Sequence, residues 1–309
     1  MNSILVILIM CIVTPNPEKA YMQVKDEAAI KTIIESVGTL ADTHNFEALE
    51  ALYAPEVEVD YTSLAGGERE LKSAKTLMTE WASVLPGFDR TRHAVDNIQV
   101  STNGQTATAT ADVVADHYVG ELFWQVQGDY HYRLEKKEDV WQITAHTFNL
   151  KEESGTRDVF GPAMANAEAN PVSYLIRQQT RQAVIDMLTA LETKDMEAFG
   201  ATWAEDAVHD MPYSPGDFPK RVSGKSNIEA HFAGWPENSG QADFTSEMIF
   251  YPMQDPEIVF VEFKGDAEIL STGRNYKQQY GGLFHVEKGK IKLFREYYDP
   301  APFKYAFGL

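Results

Sequence analysis

Glu296 is the residue whose neighbours along the chain point most directly to chemistry. The alternation of residues 291–298 places Glu296 on one strand face between Phe294 and Tyr298. A carboxyl group among aromatic rings in a partly dry interior has its pKa raised by desolvation, toward the range useful for proton transfer. The alternative is a structural ion pair with a nearby Lys or Arg. We therefore predict Glu296 as a catalytic acid or base and Tyr298 as a substrate contact.

His93 is the second catalytic candidate. It begins a predicted strand and shares a face with Asn97. A histidine titrates near neutral pH, so it can both accept and return a proton. The alternative is a hydrogen-bonded structural histidine.

Two aspartates occupy the same place in two similar segments, Asp60 and Asp210, each at the end of a short predicted strand. There they could face the mouth of a pocket, or cap the following turn, which is a common use of Asp. We predict Asp60 as a catalytic candidate, and Asp210 as a substrate contact together with its neighbours His209 and Tyr213.

Aromatic residues on the middle strands supply the remaining candidates. Trp124 and Tyr130 have the same parity along one strand and could line a cavity wall. Alternatively, they belong to a sheet face that is buried against another part of the chain. We predict both as substrate contacts.

These candidates are positioned by a unit that occurs twice. Residues 31–61 align with residues 181–211 at a constant offset of 150 without a gap. The identical pairs include Thr39/Thr189, Glu47/Glu197, Ala48/Ala198, Ala51/Ala201, Ala54/Ala204 and Asp60/Asp210. We predict two diverged copies, at residues 26–150 and 175–309. Residues 151–174, rich in Gly, Asn, Ala and Pro, are predicted as an exposed linker.

Each copy runs from helices to strands. A helix with apolar residues at helical spacing, a short helix, a short strand and a third helix precede four long alternating strands. This order predicts an α+β fold rather than a doubly wound sheet. Three helices packed in a strongly curved antiparallel sheet would form a cone with an apolar interior.

Short motifs carry a resemblance to a known superfamily. Asp42-x-x-Asn45-Phe46, followed by Arg92-His93, makes the first copy similar to the SnoaL-like branch of the nuclear-transport-factor-2-like (NTF2-like) superfamily, which includes polyketide cyclases and scytalone dehydratase. The second copy resembles the phenazine-biosynthesis A/B-type branch. The motifs that carry this second resemblance are Met211-Pro212-Tyr213-Ser214-Pro215 and Arg295-Glu296-Tyr297-Tyr298.

The resemblance implies roles for several of these residues. In relatives that dehydrate their substrates, a His at the position of His93 works with an Asp on the first helix. That position falls on Thr39 here, and the nearest carboxylate is Asp42, about one turn away. Glu296 matches the Glu of an Arg-Glu-Phe motif that is similar to a general acid. The implied activity is a cofactor-independent isomerase, dehydratase or cyclase acting on a small hydrophobic molecule; the alternative is a non-catalytic ligand-binding or scaffolding protein.

Composition excludes several other classes. The 309 residues include 27 Lys and Arg against 46 Asp and Glu, a net charge of −19 that disfavours nucleic acids and anionic membranes as partners. The single cysteine, Cys11, excludes an internal disulfide and a cysteine-based zinc site. No metal-ligand spacing is present, so we expect no metal and no cofactor.

The N-terminus and the pairing of the copies give two further expectations. Residues 4–13 are a run of ten apolar residues, too short to span a bilayer but suited to the apolar region of a signal peptide. No Lys or Arg precedes the run, so export and a cytoplasmic location both stay open, and residues 1–25 are set apart as an apolar N-terminal segment. The two copies are expected to pair as an intramolecular pseudo-dimer.

Overall fold

The chain divides into two compact units, with the boundary between Asn170 and Pro171. The computed structural model describes residues 17–309. The apolar run at residues 4–13 lies outside the described residues. Residues 17–25, assigned above to the N-terminal segment, form the first turns of a long helix.

Between residues 17 and 170, domain 1 contains five α-helices and six strands. The helices are α1 (Pro17–Asp42), α2 (Phe46–Glu50), α3 (Thr62–Ala65), α4 (Ala74–Ala82) and α5 (Phe160–Ala169). The strands are β1 (Tyr53–Asp60), β2 (Glu70–Ser73), β3 (Arg90–Asn103), β4 (Thr106–Val119), β5 (Leu122–Lys137) and β6 (Val140–Gly155). Short 3-10 turns occur at Leu85–Gly87 and Arg157–Val159.

Helical spacing explains which face of α1 is buried. Ile30, Ile34, Val37 and Ala41 recur every three or four residues and are buried. After the helix ends, the side chain of Asn45 accepts a hydrogen bond from the backbone N–H of Ala48 at 3.2 Å and so caps α2. The cap turns the chain back along the cone.

The sheet of domain 1 has the strand order β2-β1-β6-β5-β4-β3. Every pair is antiparallel except β1 and β6, which run parallel. The expected purely antiparallel sheet is therefore wrong at this one pair, because β1 and β6 are far apart in sequence and meet without a hairpin. The alanines of β4 alternate with polar residues and are buried, as their period of two predicts.

Most of the segment predicted as an exposed linker, residues 151–170, is part of domain 1. Strand β6 extends to Gly155, and α5 buries Ala163 and Ala167 against the 3-10 turn of residues 85–87. A Cβ atom on Gly87 would lie only 1.7 Å from the carbonyl oxygen of Ala163. The Gly, Asn, Ala and Pro content of this segment suggested an exposed connection, but the small size of its alanines instead allows close packing of α5.

Domain 2 repeats this order. Its helices are α6 (Ser173–Thr193), α7 (Met196–Ala201), α8 (Lys225–Phe232), α9 (Trp235–Asn238) and α10 (Pro300–Phe307). Its strands are β7 (Trp203–Asp210), β8 (Arg221–Ser223), β9 (Ser239–Asp243), β10 (Met248–Pro252), β11 (Ile258–Ile269), β12 (Arg274–Glu287) and β13 (Lys290–Tyr298). Asp195 caps α7 through the N–H of Ala198, as Asn45 caps α2.

The second sheet has the order β10-β11-β12-β13-β7-β8, and β9 also pairs with β11. The pair β7 and β13 is parallel, like β1 and β6. Strands β9 and β10 together replace the single long β3 of domain 1. The expectation of two tandem α+β domains with curved sheets is confirmed.

Candidate functional site

Domain 1 encloses a cavity of about 410 Å³ between its helices and the inner face of its sheet. Most of the lining is apolar or aromatic, and it includes Tyr61, Trp81, Trp124, Tyr130, Phe148 and Phe160. Four charged side chains also line it, Glu68, Glu70, Lys72 and Glu80. The volume falls in the range of small-molecule pockets, about 300–1,000 Å³.

His93 lines this cavity, and its ring is held by Asp42. Nδ1 of His93 lies 2.7 Å from Oδ1 of Asp42, and the backbone N–H of His93 donates to Oδ2 at 2.8 Å. The hydroxyl of Thr91 donates to Oδ1 of the same carboxylate at 2.8 Å. Among residues 17–309, no side chain or carbonyl hydrogen-bonds Nε2 of His93, so this nitrogen is available to a bound molecule.

Asp42 stays ionised at neutral pH. Burial alone would raise the pKa of its carboxyl group, but the hydrogen bonds and charge of His93 and the bond from Thr91 outweigh burial and hold the pKa below its ordinary value. Asp42 is not among the cavity-lining residues, so it lies behind the His93 ring. An ionised carboxylate in that position stabilises a protonated imidazole and fixes its orientation.

Gly38 explains how β3 comes so close to α1. A Cβ atom built on Gly38 would lie 3.0 Å from both Cβ and the carbonyl oxygen of His93. Any larger residue would push His93 away from the helix that carries Asp42. Gly38 also lines the cavity.

A second histidine, His117, lines the same cavity. Its ring lies 5.4 Å from that of His93 and 4.9 Å from that of Trp124, measured between centroids. Burial lowers the pKa of His117 to about 4, and the neighbouring His93 contributes. His117 is therefore neutral at pH 7, and its buried Nδ1 has no partner among the described residues.

The wall opposite the helices is aromatic, and one of its members is anchored. Nε1 of Trp124 donates to Glu153 at 2.6 Å, and Arg157 pairs with the same carboxylate. Arg157 also donates to the carbonyl oxygen of Leu64 at 3.0 Å, which ties the end of β6 to α3. These bonds fix Trp124 as part of the cavity wall.

Domain 2 has its own cavity, of about 400 Å³. Its lining includes Glu296, His209, His231 and three tyrosines, Tyr276, Tyr280 and Tyr298. Nε2 of His209 lies 3.4 Å from Oε2 of Glu296, close enough for an ion pair but without hydrogen-bond geometry. The side chain of His209 is 1% exposed and that of Glu296 16% exposed.

Four hydroxyl groups belong to the same lining as this carboxylate, those of Ser214, Tyr276, Tyr280 and Tyr298. Tyr280 donates to the hydroxyl of Tyr276 at 2.7 Å, and the hydroxyls of Tyr298 and Ser214 lie 3.0 Å apart. Burial raises the pKa of Tyr276, Tyr280 and Tyr298, and the negative charge of Glu296 contributes at each. All three tyrosines therefore keep their protons at neutral pH.

Comparisons with known proteins agree with this duplicated geometry. One SnoaL-like domain model matches residues 22–147, and a second matches residues 184–294. The uncharacterised protein YesE of Bacillus subtilis is 34% identical over 115 residues, which make up 37% of this chain and 78% of YesE. The chain belongs to the SnoaL-like family.

Other relatives also correspond to a single SnoaL-like domain. The uncharacterised PhzA/B-like protein PA3332 of Pseudomonas aeruginosa is 28% identical over 120 residues, 39% of this chain and 84% of that protein. A solved structure from Bacillus subtilis, named provisionally as an isomerase, is 29% identical, with 43% of this chain and 95% of that chain covered and a TM-score of 0.41. A phenazine biosynthesis-related protein from Pseudomonas aeruginosa is 20% identical, with 44% and 90% covered and a TM-score of 0.39.

The two SnoaL-like domains carry their titratable groups at different positions. The carboxylate at the end of the long helix accepts a backbone N–H in both, from His93 to Asp42 and from Phe244 to Glu192. Phe244 thus takes the place of His93, and domain 2 has no ring nitrogen there.

The strand pairing shows a second place at which the two domains carry different residues. Val59 pairs with His146, and His209 pairs with Phe294 at the equivalent place. In domain 1, Phe148 lies two residues after His146 on β6 and pairs with Tyr130 on the neighbouring strand β5. In domain 2 the same two positions hold Glu296 and Gly282.

Seven of the ten predicted site residues lie in or directly behind a cavity of a SnoaL-like domain. His93, Trp124 and Tyr130 line the first cavity, with Asp42 behind His93, and His209, Glu296 and Tyr298 line the second. Trp124 and Tyr130 therefore face the cone interior rather than a second sheet.

The other predicted residues lie outside the cavity linings. Asp60 accepts hydrogen bonds from the backbone N–H and hydroxyl of Thr62, so it caps the turn before α3. Asp210 pairs with Arg295 at 2.7 Å. Tyr213 is 56% exposed. Their placement beside strand ends made a pocket role plausible, but at the two aspartates local hydrogen bonds and ion pairs satisfy the side chains.

The sequence analysis did not single out His117, although a pattern pointed to it. The buried positions of β4 are the odd-numbered ones, and His117 continues that series beyond Ala111 and Ala115. It also did not single out His146, which is fully buried. Nδ1 of His146 lies 3.0 Å from the hydroxyl of Tyr53, and burial lowers the pKa of His146 to about 3.

Within residues 17–309, no three His, Cys, Asp or Glu side chains are grouped so that they could hold a metal ion. None of the helices in that range is both long and apolar enough to cross a bilayer.

Proposed function

We propose that domain 1 performs cofactor-independent acid–base chemistry on a small, mostly apolar carbonyl compound, with His93 as the base. The observation that supports this most strongly is the 2.7 Å contact between Nδ1 of His93 and Asp42. It leaves Nε2 available on the cavity side and places an ionised carboxylate on the other side of the ring. Such an arrangement is suited to a base that must carry a positive charge briefly.

In the first step, Nε2 of His93 takes a proton from the carbon next to the carbonyl group. The electron pair of that C–H bond moves to the carbonyl oxygen, which becomes an oxyanion, and Asp42 stabilises the imidazolium. Tyr130 lines the cavity, and burial raises the pKa of its hydroxyl, so it keeps a proton to donate to the oxyanion.

In the second step, the imidazolium returns the proton. Return to a different carbon gives isomerisation, and transfer to a departing hydroxyl group gives dehydration with release of water. In cyclisation, the enolate carbon first attacks a second carbonyl group of the same molecule. The imidazolium then returns the proton to the alkoxide that this attack forms. The aromatic lining excludes water around these charges and strengthens the interactions between them.

A non-catalytic, ligand-binding role is the second candidate, and an observation in domain 2 favours it there. Phe244 replaces the histidine of the dyad, and Glu296 lies on a different strand. We therefore assign proton transfer to domain 1. Catalysis by Glu296, with His209 as a substrate contact, stays a prediction.

Exchange of the α-protons of 2-indanone in D₂O, followed by proton NMR, tests the proposal. This neutral bicyclic ketone suits a cavity of about 410 Å³. The wild-type chain should accelerate loss of the α-proton signal, and His93→Gln should reduce this acceleration by about 100-fold, within the range of general-base contributions.

A matched control is available in the same domain. His131 pairs with Asp129 at 2.9 Å, but its side chain is 54% exposed and lies outside the cavity. His131→Gln should leave the exchange rate unchanged. If wild-type chain, His93→Gln and His131→Gln all exchange the ketone at the same rate, the proposal is wrong.

A further inference from the structure

The carboxylate of Glu296 has no hydrogen-bond donor within the described part of the chain. Among the described residues its ion-pair partner is His209, whose Nε2 lies 3.4 Å away without hydrogen-bond geometry. The Glu296 side chain is 16% exposed, so little water reaches it. Burying a carboxylate without a donor costs free energy, and a ligand that supplies a donor offsets this cost.

The lining of this cavity also contains no Lys or Arg among the residues from 17 to 309. His231 lines it, but burial and the neighbouring His209 lower the pKa of His231, against the opposing effect of Glu296. His231 is therefore neutral at pH 7. Within residues 17–309, Glu296 is the one acidic side chain in the lining, and no Lys or Arg of the lining neutralises it.

The residue that pairs with Glu296 on the neighbouring strand differs between the two domains. Gly282 lies directly opposite Glu296 on the neighbouring strand. A Cβ atom on Gly282 would lie 2.7 Å from the ring of Phe284 and 2.9 Å from that of Phe294. Domain 1 has Tyr130 at the position of Gly282, so domain 2 lacks a tyrosine ring beside Glu296, and the rings of Phe284 and Phe294 pack against the glycine instead.

The rest of the lining suits an organic cation. It holds two Trp, seven Phe and three Tyr residues. The faces of aromatic rings attract cations, most strongly where water is excluded. The hydroxyl oxygens of Tyr276, Tyr280 and Tyr298 can accept hydrogen bonds from ammonium N–H groups that do not reach Glu296.

We propose that the cavity of domain 2 binds a small organic ammonium compound, with its charged nitrogen on Glu296 and its apolar body among the aromatic rings. A neutral alcohol of the same shape would also supply a donor to Glu296, but without the charge. The ligand class rests on the contacts of Glu296 and does not depend on proton transfer in domain 1.

Isothermal titration calorimetry of the full chain with 2-naphthylmethylamine and 2-naphthylmethanol tests this proposal, because the two probes differ in one polar group. At neutral pH the amine is protonated, and we expect it to bind at least about 10-fold more tightly than the alcohol, a difference of about 1.4 kcal/mol. Glu296→Gln should remove this preference while leaving the affinity for the alcohol unchanged.

Two further variants complete the design. Glu296→Asp keeps the charge and should retain a preference for the amine, which separates charge recognition from damage to the fold. Glu205→Gln is the matched control, because Glu205 is 90% exposed and its loss should change neither affinity. Equal binding of both probes by the wild-type chain, binding of neither probe, or a preference that survives Glu296→Gln would overturn the proposal. No turnover is measured, so failure of the domain 1 chemistry would not affect the result.

Discussion

Phe244 occupies in domain 2 the position that His93 occupies in domain 1. The backbone N–H of each residue donates to the carboxylate at the end of the long helix, Asp42 or Glu192. That hydrogen bond is therefore common to both domains and holds the strand to the helix. The imidazole ring is present in domain 1 alone, which separates the structural role of this position from its chemical role.

This relationship predicts the result of a substitution that imitates domain 2. His93→Phe should keep the backbone hydrogen bond to Asp42, so its melting temperature, measured by circular dichroism, should stay close to that of the wild-type chain. The exchange of 2-indanone protons should fall to the level of His93→Gln, because the ring nitrogen is lost. A large drop in melting temperature would show that the His93 side chain is itself needed for folding.

The close approach at Gly38 predicts a strong effect of one methyl group. Gly38→Ala should place Cβ 3.0 Å from Cβ and the carbonyl oxygen of His93, and overpacking of this kind costs about 1–3 kcal/mol. Both thermal stability and proton exchange should decrease, since His93 and Asp42 are forced apart.

Gly161 provides the matched control for that substitution. It lies in α5, and an added Cβ atom would meet no heavy atom within 4 Å. Gly161→Ala should leave exchange unchanged and raise the free energy of unfolding by about 0.5–1 kcal/mol, through the lower entropy of the unfolded chain. Equal effects of the two substitutions would contradict the packing argument.

The lowered pKa of Asp42 predicts how its contribution to stability depends on pH. Because the pKa is lower in the folded chain, the ionised carboxylate stabilises the fold above its unfolded pKa of about 3.9, and the contribution disappears as pH falls through the folded value. Asp42→Asn should therefore lower the free energy of unfolding at pH 7 by about 1–3 kcal/mol.

The measurement is a series of urea unfolding curves for wild-type chain and Asp42→Asn from pH 7 down toward pH 3. The difference between the two proteins should shrink as the pH decreases below about 4. A difference that stays constant with pH would mean that the carboxylate charge contributes nothing.

Much of the architecture follows from the sequence, for identifiable reasons. The constant offset of 150 paired Asp42 with Glu192, and both residues do occupy the same place at the end of a long helix. Helical and strand periodicities report burial, and burial determines most of the fold. The folding of α5 onto domain 1 was missed because small residues are typical both of linkers and of close packing.

The site was harder to predict, because its geometry depends on contacts between distant segments. Alternation placed Glu296, Trp124 and Tyr130 on inner faces correctly. It could not show that Asp60 binds Thr62 or that Asp210 binds Arg295, since these partners are set by local turns and neighbouring strands. The Asp42–His93 contact spans 51 residues and depends on the close approach at Gly38, which no local pattern reports.

Chemical rescue of His93→Ala tests the central claim most directly, because it asks whether an imidazole group at this place is the base. The substitution should abolish the acceleration of α-proton exchange in 2-indanone. Added imidazole, at millimolar concentration, should restore exchange by His93→Ala, and the rate should saturate as the imidazole concentration rises. With the His131→Ala chain, imidazole should add only the exchange that it catalyses in the absence of protein. Undiminished exchange by His93→Ala before any imidazole is added would contradict the account.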